Sequence, residues 1–267
     1  MRYSVITINY NNRDGLRSTI ESVVGQTSQD YEYIVIDGGS TDGSVDVIKE
    51  FSENIDYWAS EKDNGIYHAM NKGVAQAHGE YCIFMNSGDC IYDNSVLESV
   101  GKYDYSEDVI VGKVSIDEHN HIISPPPLRE FTFYHLYSGA IPHQCAFIRT
   151  ELLRKYPYDE KLKISSDWKF FVQTLILDNG SLRYIDNFVA RYNTDGVSSA
   201  NPELMRKEKE KYLSALFPPR VLADYRYIKE SECLVQTLTP QLRRNYGIDR
   251  CLYRIGKLLL KLVGNEK

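Results

Sequence analysis

The first 85 residues alternate between two periodicities, and this alternation restricts the fold more than any other feature of the chain. "YSVITINY" (3–10) is a β-branched run of strand length, "GLRSTIESVVGQT" (15–27) sets Leu16, Ile20, Val23 and Val24 at helical spacing, and "YEYIVIDGG" (31–39) returns to strand character. "STDGSVDVIKEFS" (40–52) opens with capping residues and continues with Val45, Ile48 and Phe51 at helical spacing. A third short strand follows in "IDYWASE" (55–61), then a helix expected over 66–77 and a strand over 81–85. Strands and helices in this order predict right-handed crossovers and a largely parallel sheet that receives its ligand at the carboxyl ends of the strands.

The second half is less regular. "DVIVGKVSID" (108–117) and "HIISPPPL" (121–128) read as strands around a turn, with Pro125 to Pro127 forcing an extended connection. "GAIPHQCAFIRTELLRKY" (139–156) suggests a loop and strand leading into a short helix, "SSDWKFFVQTLILDNG" (165–180) an N-capped helix, and "LRYIDNFVARYN" (182–193) another strand. Beyond about Val197 the chain turns helical and charged, with breaks at Pro218-Pro219 and Pro240. At 267 residues the chain can hold one large α/β domain with a helical appendage. The division expected is 1–100 and 101–197 as two halves of that domain, with 198–267 as the extension.

Composition removes several function classes. A net charge of −6 argues against a general nucleic-acid binder, since phosphate backbones would be repelled. The cysteines (Cys82, Cys90, Cys145, Cys233, Cys251) are scattered and form no CxxC pair, which points away from a disulfide framework or structural zinc and toward a reducing cytoplasm. The apolar run Ser4 to Ile8 is too short for a secretory or membrane segment. The tail differs from the body: from Gln241 to Lys267 seven basic residues face two acidic ones, about +5. Ile248, Leu252, Ile255, Leu259 and Leu262 fall there at helical spacing, with Arg250, Arg254, Lys257 and Lys261 on other faces. Such a helix suits an anionic membrane surface, packing on the α/β domain, or a second subunit.

Two carboxylates stand at strand ends. Asp37 in "VIDGGSTDGS" can accept from a base N–H or a ribose hydroxyl, or cap the following helix. Asp89 in "FMNSGDC" is either an Asx-type turn residue or the ligand of a divalent cation. No GxGxxG precedes a helix and no GxxxxGK[ST] occurs, so a pyrophosphate would need another source of positive charge. Mn²⁺ or Mg²⁺ on Asp89 would supply it, with His143 in "IPHQC" as the candidate second ligand.

"YSVITINYNNRDGLRSTIESVVGQTSQDYEYIVIDGGSTDGS", "SEKDNGIYHAMNKGVAQAHGEYCIFMNSGD" and "SSDWKF", in this order, resemble the family 2 glycosyltransferases of the GT-A fold, in the bacterial branch that makes O-antigen and capsular polysaccharides. The resemblance spans about residues 1–195. It implies inverting transfer from a nucleotide-sugar, usually a UDP-sugar, to a glycan acceptor that is commonly polyprenyl-diphosphate-linked, in the cytoplasm or at the inner face of the membrane. On that pattern Thr7, Asn9, Tyr10 and Asp37 hold the nucleoside, and Asp63, Asn71 and Lys72 line the sugar and phosphate side. Asp89 matches the last carboxylate of a DxD-type metal motif, and Asp167 matches the acidic base. The first DxD carboxylate is absent from Asn86-Ser87-Gly88-Asp89, and His68 stands where relatives commonly have Asp. Alternatives of other classes are a non-catalytic nucleotide-sugar or glycan binder of the same fold, and a sugar nucleotidyltransferase, for which "NYNNRDG" lacks a convincing phosphate loop.

Overall fold

A computed structural model describes residues 1–116, 122–123, 131–193 and 201–246, with side chains given for all of these except 122–123 and 233–246. Its strands are β1 (Tyr3–Asn9), β2 (Tyr31–Asp37), β3 (Tyr57–Ser60), β4 (Tyr81–Phe84), β5 (Cys90–Ile91), β6 (Val109–Ser115), β7 (Ile122–Ile123), β8 (Ala146–Arg149) and β9 (Leu182–Arg191). The α-helices are α1 (Arg13–Val24), α2 (Ser44–Glu50), α3 (Ile66–Gln76), α4 (Val96–Gly101), α5 (Phe133–Ser138), α6 (Thr150–Lys155), α7 (Ser166–Phe171), α8 (Pro202–Leu216) and α9 (Pro219–Tyr246). One sheet runs in the order β3-β2-β1-β4-β8-β6-β9-β5, with β7 on β6. Met1–Tyr212 form one unit, and a second begins at Leu213.

The strand-helix alternation produces the expected half of this sheet. β1 pairs in parallel with β2 and β4, and β2 with β3. Every residue of β1 and β4 is buried, as a strand covered on both faces requires. Helix α1 supplies one cover, burying Leu16, Ile20 and Val23 at the predicted spacing, while Asn12 caps its first turn by accepting from the Gly15 N–H. The sheet is mixed beyond β4: β8 enters antiparallel to β4 and β6, whereas β6 and β9 are parallel.

Several local expectations are revised. Helix α2 starts at Ser44 behind Gly43, whose φ of +94° no residue with a Cβ adopts cheaply, so the capping residues at 40–41 belong to the loop. The segment expected as one helix over 165–180 is the six-residue α7 followed by a π turn over Val172–Leu177. Pro218-Pro219 does separate two helices, but α9 continues through Pro240. The boundary expected at 197 and the amphipathic pattern from Ile248 lie outside the described residues.

Candidate active site

The carboxyl ends of β1 and β4 open into a cleft of about 1150 Å³ within the first unit. Asn9, Tyr10, Asp63, Asp89, His143 and Asp167 line it, so six of the residues singled out from sequence come together. Thr7, Asp37, Asn71 and Lys72 do not. Thr7 is buried two residues inside β1, its hydroxyl 2.9 Å from that of Tyr33. Asn71 bridges to the loop at Tyr158, donating to its carbonyl and accepting from its N–H, both at 2.9 Å. Lys72 pairs with Glu61. Position along an element was legible in these cases; the direction of the side chain was not.

Asp37 is fully buried and organises the loop that follows it. Its Oδ1 accepts from Asn9 Nδ2 and the Ser40 hydroxyl, and its Oδ2 from the Gly39 and Ser40 N–H groups and the Ser60 hydroxyl, at 2.6–3.1 Å. Burial acts to raise its pKa, but these bonds outweigh it and hold the carboxyl below its ordinary value. A carboxylate has about four lone-pair positions, so a base or ribose group could reach Asp37 only by displacing a bond already made. Asn9 extends the network, accepting from the Ser87 hydroxyl at 2.8 Å and so tying the end of β1 to the loop after β4. Tyr10, 67% exposed, presents its ring at the cleft. Asp63 reaches Gly38 so closely that a Cβ there would lie 2.5 Å from its Oδ2.

Asp89 makes no local Asx turn with its carboxylate. Oδ1 accepts from the Asn193 N–H at 3.0 Å and Oδ2 from Gln144 Nε2 at 3.2 Å, partners far away in sequence. The turn is instead made by backbone and by Thr19, whose hydroxyl accepts from the Gly88 N–H and donates to the Asp89 carbonyl. Gly88 sits at φ +104°, which lets the chain double back and aim Asp89 inward. The carboxyl is 5% exposed, and its burial raises its pKa despite these two bonds and the charge of His143. It is therefore an undercompensated buried charge with capacity left on both oxygens.

Asp167 and His143 form the other side of the site. His143 Nδ1 lies 3.2 Å from Asp167 Oδ2, and its Nε2 is 3.1 Å from Asn86 Nδ2, so both ring nitrogens face a partner, and the role of second metal ligand expected of His143 would require one of them to leave it. Asp167 Oδ1 accepts from the Tyr67 hydroxyl at 3.1 Å and the Trp168 N–H at 2.9 Å. Burial pushes the Asp167 carboxyl up, but the hydrogen bond and charge of His143 prevail and hold it below the usual range. The converse holds for His143: burial pushes it down, and the bond to Asp167 with the charges of Asp167 and Asp89 raises it above its ordinary value. Three bonds on Asp167 leave one lone-pair position, on Oδ2, for a further donor.

The residues fit a divalent cation only in company with a ligand. Among the described residues no three His, Cys, Asp or Glu side chains are grouped to hold an ion. Asp89 offers two oxygens, and Asn86, three residues before it, lines the same cleft with its side-chain amide. A hard cation satisfied by oxygen suits that pair, with phosphate oxygens and water completing its shell. Gln144 and Tyr67 carried no signal in the sequence, because a neutral amide or a single Tyr has no spacing that marks it, and Asn86 drew notice only as the start of the turn that lacks the first DxD carboxylate.

The family described as "Glycosyl transferase family 2" matches residues 4–157. An uncharacterized glycosyltransferase of Mycobacterium tuberculosis is 32% identical over 206 residues, 73% of this chain and 76% of the relative. Among solved structures, S. aureus TarS 1-349 superposes with a TM-score of 0.62 at 20% identity, covering 80% of this chain and 66% of that one, and it has also been solved with UDP. The mannosyltransferase PcManGT from Pyrobaculum calidifontis, solved with GDP-Man and Mn²⁺, gives a TM-score of 0.57 at 18% identity over 77% of this chain and 60% of that one. These two neighbours share the GT-A fold, with this chain's mixed sheet and flanking helices.

Proposed function

The chain belongs to glycosyl transferase family 2, and on that premise we propose that it moves a sugar, with inversion, from a UDP-sugar to a hydroxyl of a glycan acceptor. The observation that carries this reading is that Asp89 and Asp167 line one cleft, the first with unused oxygen capacity and the second with one lone-pair position left. In the reaction the acceptor oxygen bonds the anomeric carbon as the bond from that carbon to the donor phosphate breaks on the opposite face. Asp167 takes the hydroxyl proton, and the nucleoside diphosphate leaves. Tyr67, the Trp168 N–H and His143 fix the carboxylate so that its remaining position faces the cleft. Asp89, with Asn86, would hold Mn²⁺ or Mg²⁺, whose charge offsets that developing on the leaving group. Tyr10 offers a ring for the nucleobase.

Finer assignments rest on the sequence. The acceptor is proposed to be lipid-linked and the pathway that of a surface polysaccharide, with the basic tail meeting the membrane from the cytoplasmic side. No helix among the described residues is long and apolar enough to cross a membrane. The test is a screen of UDP-, GDP- and dTDP-sugars for metal-dependent hydrolysis and thermal stabilisation. We predict that UDP-sugars, with Mn²⁺, give the largest response; protein that neither binds nor hydrolyses any of them would overturn the reading.

A further inference from the structure

Helix α8 follows the match to the family, which ends at residue 157, and one of its faces is devoted to the segment that carries Asp167. From Asn201 to Tyr212 only Met205, Glu208, Lys209 and Tyr212 are half-buried rather than exposed, and their spacing of i, i+3, i+4 and i+7 is a single stripe. Lys209 Nζ lies 4.9 Å from the Trp168 ring centroid and donates to the Gly139 carbonyl at 3.1 Å. Tyr212 meets Trp168 edge-on at 6.1 Å. Glu208 makes the most specific contact. Its Oε1 accepts from the Lys163 N–H at 2.7 Å, and its Oε2 from the Ile164 N–H at 3.3 Å and the Ser165 hydroxyl at 2.6 Å.

The Ser165 bond has a consequence for Asp167. Ser165 is the N-cap of α7, and an N-cap hydroxyl ordinarily accepts from the N–H two or three residues on, here Asp167 or Trp168. It makes no such bond in this protein. Its hydroxyl is turned to Glu208, and the Trp168 N–H is left to the Asp167 carboxylate. We propose that Glu208 is a positioning residue for Asp167: by holding Ser165 out of its cap, it obliges Asp167 to take the Trp168 N–H and so fixes the carboxylate against Tyr67 and His143. This rests on the reading of Asp167 as the base. Loss of Glu208 frees Ser165 to cap α7, which releases Asp167 Oδ1 and misplaces Oδ2. A shift of about 1 Å at a reacting group can cost on the order of 10²-fold in rate.

The experiment compares full-length Glu208→Ala, Glu208→Gln, Ser165→Ala, the double variant Glu208→Ala/Ser165→Ala and Asp167→Asn. The readouts are kcat and donor KM for hydrolysis of the sugar nucleotide that gives the highest wild-type turnover with Mn²⁺, and the thermal midpoint. Expected are a fall in kcat of roughly 10- to 100-fold for Glu208→Ala with donor KM unchanged, a smaller fall for Glu208→Gln, which keeps one acceptor oxygen, and recovery of kcat in the double variant, which has no hydroxyl to compete for the cap. Contacts that only stabilise the fold would give no recovery. The proposal is overturned if Glu208→Ala keeps its kcat, or if the double variant is no faster than Glu208→Ala. Where Glu208→Ala does not fold, an unchanged kcat in Glu208→Gln overturns it and a reduced kcat at unchanged KM supports it. Wild-type turnover in Asp167→Asn sinks the parent reading instead, and loss there beside unaffected Glu208 variants sinks this proposal alone.

Discussion

At the scale of single residues the site is a pair of carboxylates whose pKa values are shifted in opposite directions. Burial leaves Asp89 with a raised pKa and too few donors, whereas His143 holds Asp167 ionised. We predict that Asp89→Ala abolishes Mn²⁺-dependent binding of UDP while metal-independent affinity changes little; calorimetry with unchanged Mn²⁺ dependence would remove Asp89 from the metal site. The His143–Asp167 pair also predicts how stability follows pH. Asp167 has a depressed pKa, so its contribution is present above the ordinary carboxylate value of about 3.9 and is lost as pH falls through the folded value. His143 has a raised pKa, so its contribution is complete below about 6.5 and is lost as pH rises through the folded value. Unfolding free energy should therefore decline with pH above about 6.5. His143→Gln, which keeps a donor without the charge, should flatten that decline in denaturant titrations, and an unchanged slope would show that the pair does not set it.

At the scale of elements, the sequence disclosed what depends on periodicity and withheld what depends on distant partners. β1, β2, β3 and β4 follow from short β-branched and aromatic runs of strand length, and α1 and α3 from apolar residues at 3.6-residue spacing that they bury against the sheet. The antiparallel entry of β8 leaves no local trace, since a strand as short as Ala146–Arg149 reads the same in either direction. The loops of the site divide in the same way. That Asp89 lies in the turn that follows β4 was legible; that Asn193, 104 residues on, would hold it was not. The turn itself makes a prediction. Gly88→Ala places a Cβ at φ +104° and 3.1 Å from the Asn193 side-chain amide, whose backbone holds Asp89. Thermal denaturation should show destabilisation of about 1 kcal/mol or more, with weaker Mn²⁺-dependent UDP binding. Wild-type behaviour in both would mean that the turn tolerates a side chain and does not aim Asp89.

At the scale of the whole molecule, the cleft with both carboxylates lies within Met1–Tyr212, while the basic excess lies in the sequence from Gln241 onward. On the proposed reading of the tail, catalysis and membrane contact should therefore separate. Truncation after Tyr246 is expected to weaken co-sedimentation with anionic liposomes and to leave donor hydrolysis largely intact; equal partitioning would favour a tail that packs on protein. If one cleft binds the nucleotide-sugar and Asp167 accepts the proton of the incoming hydroxyl, Asp167→Asn must separate binding from transfer, because Asn nearly preserves the shape and removes the basicity. Single-turnover transfer measured beside UDP affinity in that variant should show transfer reduced by roughly 10²- to 10⁴-fold, the range for loss of a positioned base, at near wild-type affinity. Transfer at the wild-type rate, or loss of UDP binding together with transfer, would contradict the assignment.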